Sequence, residues 1–462
     1  MITLLNRLRQ GKSESDRASL RSRAFRAGSW TLVVHFLSLA LRFVGTIILT
    51  RIFAPEAFGV LAVVTSVQLV IVLLTDIGLR QAVIQSPNGA VPSFLHTAFT
   101  LQIARGIFIW ALSGVFAAGL SLAQTHNWVP SGSAYTDPDL PWYIFVASFL
   151  SVIWGFQSMK AVSASRNLNV KPVYLTELFA QFVSQAFVIL FGWLTHSLWS
   201  YIAGQLISGL VIASLSYFVF AGHRDRIGWN REAARELLRF GRWTFLSSTL
   251  SALALNGDRL LLGAWLNPQS LGFYSVAYNL ASVPDGVVGK IFGAVSFPVL
   301  SEAARNQPER VAEILRRMRW ITDGSLLAIS GFLFAASPSI VHLLYDARYA
   351  PAGWMLQYLS LGLIFSRYTI SQQAYLALGR PEYLTALSVA KLISLFSSIS
   401  LFNFLFGIQG AVLGVAVHML PSCLLMFYFN GRHNLNSARL EFVVLSAWLV
   451  GWLIGEGVSF VF

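Results

Sequence analysis

Six bases interrupt long apolar runs of this 462-residue chain: Arg42, Arg105, Arg259, Lys290, Arg367 and Lys391. Five acids do the same: Asp76, Glu177, Asp258, Asp285 and Asp323. A base at the middle of a bilayer costs on the order of 2.5–3.5 kcal/mol, so six together cost roughly 15–20 kcal/mol. A fold carries that burden when the charges face a wet cavity or each other. Bases outnumber acids at mid-depth, and the planar guanidinium fork matches phosphate oxygens. The chemistry expected of such a set is anion binding. A cleft for cations would be lined with carboxylates and aromatic rings instead.

His35, Ser38, Arg42 and Thr46 fall at helical spacing and form one polar stripe. Arg105 has Gln102 one turn away, and Arg367 sits within a similar apolar run. Arg42, Arg105, Arg259, Arg367, Lys290 and His35 are the candidate anion contacts. Asp258, Asp76 and Asp285 are candidate coupling or structural charges. Asp258 adjoins Arg259, but neighbours on a helix point about 100° apart, so its partner is expected on another helix. Lys290 either pairs with Asp285 or lines the cavity. Lys391 either snorkels or pairs. Asp76, beside Gly78 and Arg80, fits a capping role as well as a coupling one, and His35 fits a core role as well as a proton carrier. Glu177 and Asp323 lie near span ends and read as structural.

The elements that must position these groups follow from composition. The chain is 55% hydrophobic and only 11% charged, against about a quarter charged in soluble domains. Thirteen apolar runs near the length of a bilayer crossing occur, at about 29–50, 58–79, 97–121, 141–159, 173–193, 199–220, 243–265, 271–297, 320–345, 352–376, 384–406, 410–430 and 440–462. The class is an all-α polytopic membrane protein. Of 33 Lys and Arg, 25 fall in one alternate set of connections, and only Arg51 and Arg348 in the other. By the positive-inside rule the N-terminus is cytoplasmic. The same rule accounts for the net charge of +13 without nucleic acid. The first apolar run follows a basic segment and lacks a small-residue cleavage site, so no cleavable signal is expected. That segment, residues 1–28, reads as a short interfacial helix or a solvated tail. Residues 121–141 carry no Lys or Arg and read as an ordinary loop. One cysteine, Cys423, excludes an internal disulfide, and the eight histidines lack metal-ligand spacing.

An internal repeat organises the runs. Gly28, Trp30, Thr31, Pro55 and Gly59 recur 213 residues later as Gly241, Trp243, Thr244, Pro268 and Gly272. Six spans separate the copies, so the repeats are parallel and related by an axis along the membrane normal. Two six-helix lobes are expected, 29–220 and 243–430, joined by a basic helical linker at 221–242 and followed by an extra loop and span at 431–462. Thr46 maps onto Arg259, so the two lobes present Arg42 and Arg259 on matching faces at different depths.

The run "NGDRLLLGAWLNPQSLGFYSVAYNLASVP" resembles a signature of Wzx-type polysaccharide-unit flippases, through Asn256, Asp258, Arg259, Gly263, Leu271, Gly272, Tyr274, Ala277 and Tyr278. "FGVLAVVTSVQLVIVLLTDIGLRQAVIQ" resembles the matching second span, with Asp76, Gly78 and Leu79, and "YDARYAPAGWMLQYLSLG" a later turn. The similarity covers about residues 25–430. It implies the fold of the multidrug/oligosaccharidyl-lipid/polysaccharide exporter superfamily, MATE-like, with two lobes opening alternately. It implies inner-membrane translocation of undecaprenyl-diphosphate-linked oligosaccharides for exopolysaccharide, capsule or O-antigen, without a cofactor but with H+ or Na+ coupling in some members. Membrane lipids, a polysaccharide polymerase and chain-length machinery are the further partners implied. Two related alternatives are a multidrug antiporter and a peptidoglycan-precursor flippase. An enzyme such as a polymerase or ligase would need a large outer loop with catalytic bases, and residues 121–141 offer none. No nucleophile–base pair or Gly-rich phosphate loop stands out.

Overall fold

The computed structural model describes residues 30–167 and 169–460. The basic segment 1–28 lies outside the described residues. The first two long helices are α1 (Trp30–Ile52) and α2 (Pro55–Leu74). They are separated by a two-residue break. Pro55 opens α2 at the position where a missing N–H costs nothing. Then follow α3 (Pro92–Thr125), α4 (Leu140–Gly155, bent by 66° into Lys160–Arg166), α5 (Lys171–Thr195) and α6 (Trp199–Phe218).

The second half repeats the plan with α7 (Arg231–Trp265) and α8 (Pro268–Asn306). Asn230 caps α7 by accepting from the amides of Glu232 and Ala233, each at 3.0 Å. The helix starts inside the basic linker, as the sequence predicts. Ala54 before α2 has φ −73°, ψ 158°, and its repeat equivalent Asn267 before α8 has φ −68°, ψ 161°. The duplicated sequence therefore builds one backbone turn twice.

Next is α9 (Val311–Leu344), and then α10, which runs as broken pieces from Ala352–Ser360 to Ser371–Ala377. After it come α11 (Pro381–Val417), α12 (Leu420–Arg432) and α13 (Arg439–Ser459). Gly407 in α11 adopts φ 61°, ψ −146°, and the helix reverses there. The Ser398 hydroxyl donates to the Gly414 carbonyl at 3.0 Å across the resulting hairpin. Among the described residues nine helices are long and apolar enough to cross a membrane, or ten with the bent α4 pair. The thirteen sequence segments each overlap a helix. The smaller count arises partly because Gly407 joins two segments into one helical run.

α2 is the core of the bundle. In its apolar window 56% of residues are buried, more than in any other candidate span. It is apolar all round, as a fully enclosed helix must be. Val60, Val63, Val64 and Val67 pack in one cluster with Leu262, Leu266, Leu271, Tyr274 and Ala277 from α7 and α8. The two halves thus share this cluster, while smaller clusters lie within each half. α13, outside the duplication, lies on α9 through small residues. A Cβ at Gly331 would collide with the Trp448 carbonyl, and one at Gly451 with the Ala328 carbonyl.

Candidate functional site

The repeated turns meet at the side of the bundle poor in bases. A Cβ at Gly59 would fall on the carbonyl of Pro268, and one at Gly272 on the carbonyl of Pro55. Each half makes the same contact to the other, which is the mark of a twofold relation. Further bonds reinforce the closure. Arg348 Nη2 donates to the carbonyls of Thr50 and Arg51, both at 3.3 Å, and the Tyr349 hydroxyl donates to the Phe53 carbonyl at 3.0 Å. Residues 121–141, expected to be an ordinary loop, also join in. The Ala134 amide donates to the Leu266 carbonyl at 2.8 Å, and the Tyr135 hydroxyl to the Leu260 carbonyl at 3.1 Å. The chain there closes one half on the other, which composition alone does not reveal.

Below this closure a cavity of about 260 Å³ opens between α1 and α8. His35, Arg42 and Thr46 line it from α1, and Asn279, Ser282 and Val283 from α8, with Tyr345 above. Three of the four residues in the predicted polar stripe therefore share one wall. Ser38 is not among the lining residues, and its backbone carbonyl accepts from Gln181 Nε2 of α5 at 3.0 Å. The Arg42 side chain is exposed. Lys290, also exposed, stands on α8 one turn beyond Gly286, which lines the cavity. No acid is among the lining residues.

The other candidates are placed differently. Arg105 binds a helix end: Nε donates to the Thr75 carbonyl and Nη2 to the Val72 carbonyl, both at 2.8 Å, and Asp76 lies 3.6 Å away. It closes the C-terminal carbonyls of α2. Gln102, its neighbour by one turn, donates to the carbonyls of Trp154, Gly155 and Gln157 and fastens α3 to the broken end of α4. Asp76 accepts from the Gly78 amide and from the Ser248 hydroxyl on α7, both at 3.0 Å. It therefore combines a turn with a bond between the two halves.

Asp258 is buried and accepts from the Tyr274 hydroxyl on α8, the inter-helix partner the sequence called for. Arg259 lies 4.6 Å from the centre of the Tyr278 ring. Asp285 and Arg367 share a smaller cavity of about 100 Å³, so Asp285 and Lys290 part company. Lys391 is half-buried on α11.

Arg367 belongs to a buried ionic cluster that sequence reasoning missed. Its Nη2 donates to Glu441 at 3.0 Å, and Arg319 Nη2 donates to the same carboxylate at 2.7 Å. Arg319 also binds Asp323 at 2.9 Å, and the Tyr368 hydroxyl donates to Glu441 at 2.6 Å. Arg319 is 1% exposed and Asp323 0%, so two bases and two acids neutralise one another out of water. The available signal was the spacing of Arg319 and Asp323 by four residues. It was hidden because Arg319 and Glu441 stand at span ends, where charges ordinarily reach water.

The architecture is that of known transporters. The chain superposes on an inward-facing multidrug resistance MATE family transporter of the MOP superfamily with a TM-score of 0.64 at 11% identity, over 87% of this chain and 94% of that one. It superposes on the lipid II flippase MurJ, in an inward closed conformation, with a TM-score of 0.65 at 14% identity, over 93% and 98%. The class is therefore a multi-pass, all-helical membrane protein with the MATE-like fold. Within that class, residues 48–352 match the family described as polysaccharide biosynthesis protein, and the chain belongs to it. It is 22% identical over 437 residues to the lipopolysaccharide biosynthesis protein WzxC of Escherichia coli (strain K12), covering 94% of this chain and 86% of that protein. It is 21% identical over 337 residues to the succinoglycan biosynthesis transport protein ExoT of Rhizobium meliloti (strain 1021), covering 72% of this chain and 64% of ExoT, under two thirds of that relative's length.

Proposed function

We propose that the chain flips undecaprenyl-diphosphate-linked oligosaccharides from the cytoplasmic to the outer leaflet of the bacterial inner membrane. The observation that carries this reading is the seam between α1 and α8, where His35 and Arg42 line a cavity free of acids, in a chain of the polysaccharide biosynthesis family. A diphosphate brings negative charge and many acceptor oxygens, and the Arg42 fork with the Lys290 ammonium supplies matching donors. The bias of Lys and Arg toward one side supports a cytoplasmic N-terminus, with the closed turns outside. The head group enters the seam from the cytoplasm while the lipid tail stays in the bilayer. The paired turns then part, and the head group leaves on the far side by alternating access. Arg259 stands further along the path, and Arg105 and Arg367 hold the frame. A multidrug antiporter is less well supported, because it would need carboxylates where the seam has none.

The test is a deletion strain in which the leaflet of the lipid-linked oligosaccharide is assayed by access of an added glycosidase. Accumulation in the inner leaflet, relieved by the wild-type chain but not by an Arg42→Gln/Lys290→Gln double variant, is the expected result. Normal transbilayer distribution in the deletion strain would overturn the proposal.

A further inference from the structure

A second cavity, of about 360 Å³, lies within the first half between α2, α4, α5 and α6. Its size falls in the range of small-molecule sites. Its walls differ in kind from those of the seam. Gln68, Gln181, Gln185 and Gln205 converge on it with Ser184 and Trp154, and no acid, lysine, arginine or histidine lines it. Gln68, Gln185, Gln205 and Ser184 have no hydrogen-bond partner among the described residues. Gln181 uses only its amide nitrogen, toward the Ser38 carbonyl. The Trp154 side chain is exposed.

Amides held inside a membrane bundle without partners are costly. Three free amides and the Gln181 carbonyl oxygen facing one space suit a ligand that both donates and accepts hydrogen bonds and carries no charge. Each glutamine offers two donors and an acceptor, which is the complement of a sugar hydroxyl. The open indole of Trp154 offers an apolar plane for the C–H face of a pyranose ring. The α5 wall of this cavity packs on α1, the helix that also lines the seam. Gln181 binds the Ser38 carbonyl on α1, one turn from Arg42, and the Gln185 side chain packs at Gly45.

We infer that this amide-lined cavity is a subsite for neutral sugar residues, set beside the cationic seam so that one molecule spans both. The inference rests on the flippase reading and divides its substrate between two chemistries. Charge at the seam holds the diphosphate, and the amides of the first half hold the sugars.

The experiment uses the full chain in lipid nanodiscs and two probes, undecaprenyl diphosphate alone and the same lipid carrying a neutral trisaccharide. Wild type is expected to bind the glycosylated probe more tightly. A Gln68→Leu/Gln205→Leu double variant is expected to lose about 30-fold for the glycosylated probe, on the worth of roughly one hydrogen bond at each position. Its affinity for the bare lipid should not change. Arg42→Gln is expected to weaken both probes. If wild type binds the two probes equally, or the double variant keeps its preference, the cavity holds only water, and the sugar subsite is wrong while the flippase reading stands. If wild type binds neither probe, the flippase reading fails and the subsite with it. A Gln185→Met/Ser184→Ala variant, changing the α5 wall alone, gives the same readout should the first double variant not fold.

Discussion

Gly59 rests on the carbonyl of Pro268, and its repeat equivalent Gly272 rests on the carbonyl of Pro55. The repeated Pro-x-x-x-Gly pattern therefore has a structural meaning beyond two similar turns. Proline starts the second helix of each pair, and glycine one turn later lets the opposite proline approach. The pseudo-twofold axis passes between these contacts. Symmetry predicts that equal substitutions at the two glycines have equal effects. Gly59→Val and Gly272→Val should each destabilise the purified protein by about 1–3 kcal/mol, the usual range for overpacking. Thermal unfolding in detergent measures both, and a large effect at one site with none at the other would remove the symmetric account.

The Arg348 latch carries a pH prediction. Asp346 holds its neighbour by accepting from the Arg348 amide at 2.9 Å and from Nε at 3.0 Å. The amide bond, then the guanidinium bond, lowers the Asp346 carboxyl below its ordinary value of 3.8. A lowered carboxylate stabilises the fold fully above the ordinary value, and loses that contribution as pH falls through the lowered one. The latch should thus be insensitive to pH between about 8 and 5. Arg348→Gln should raise the labelling rate of a cysteine placed at Ala54 across that whole range. Cys423 is buried, so its own reaction leaves a low background. A ratio of the Arg348→Gln rate to the rate in the otherwise wild-type chain that changes between pH 8 and 5 would contradict this, since the ratio cancels the thiol's own titration.

Glu441 joins α13 to Arg319 and Arg367, and removing one partner of a buried ionic cluster leaves charge uncompensated. Glu441→Gln should destabilise by about 3–5 kcal/mol. The double variant Arg367→Gln/Glu441→Gln should recover much of that loss, because Arg319 keeps Asp323. The double variant also decides the role of Arg367. If it folds and exports polysaccharide, Arg367 serves the frame. If it folds and export is abolished, Arg367 also contacts the substrate.

Hydropathy and the repeat made the helices legible, because lipid imposes a single rule on every span. The stripe of His35, Arg42 and Thr46 was legible for the same reason, since it interrupts that rule at helical period. The partners of Arg105 were not. The carbonyls of Val72 and Thr75 belong to every sequence alike, and only tertiary folding brings a helix end to them. Glu441 was hidden by its place at a span end. The glutamines of the sugar cavity carry no formal charge, so a reading that followed charge passed over them, although an amide in an apolar run is itself costly.

Arg42 and Arg105 make the sharpest contrast, because sequence gave them equal standing and the structure gives them opposite surroundings. Arg42 is exposed beside a cavity, while Arg105 makes two carbonyl bonds at 2.8 Å. Arg42→Gln should leave the amount of protein in the membrane and its melting temperature close to wild type, and should abolish export. Arg105→Gln should lower the melting temperature first, because the carbonyls of Val72 and Thr75 lose their partner at a cost of about 1.5–3 kcal/mol for each charged bond. Its export should fall only in proportion to the protein remaining. Arg105→Lys should not rescue it, since one ammonium cannot reproduce the fork that reaches both carbonyls. Arg42→Lys should retain part of the export, because a point charge still attracts a diphosphate. Membrane protein level and exported polysaccharide, measured on the same cultures, separate the two residues. Equal loss of export per molecule for both would place Arg105 in the substrate path after all.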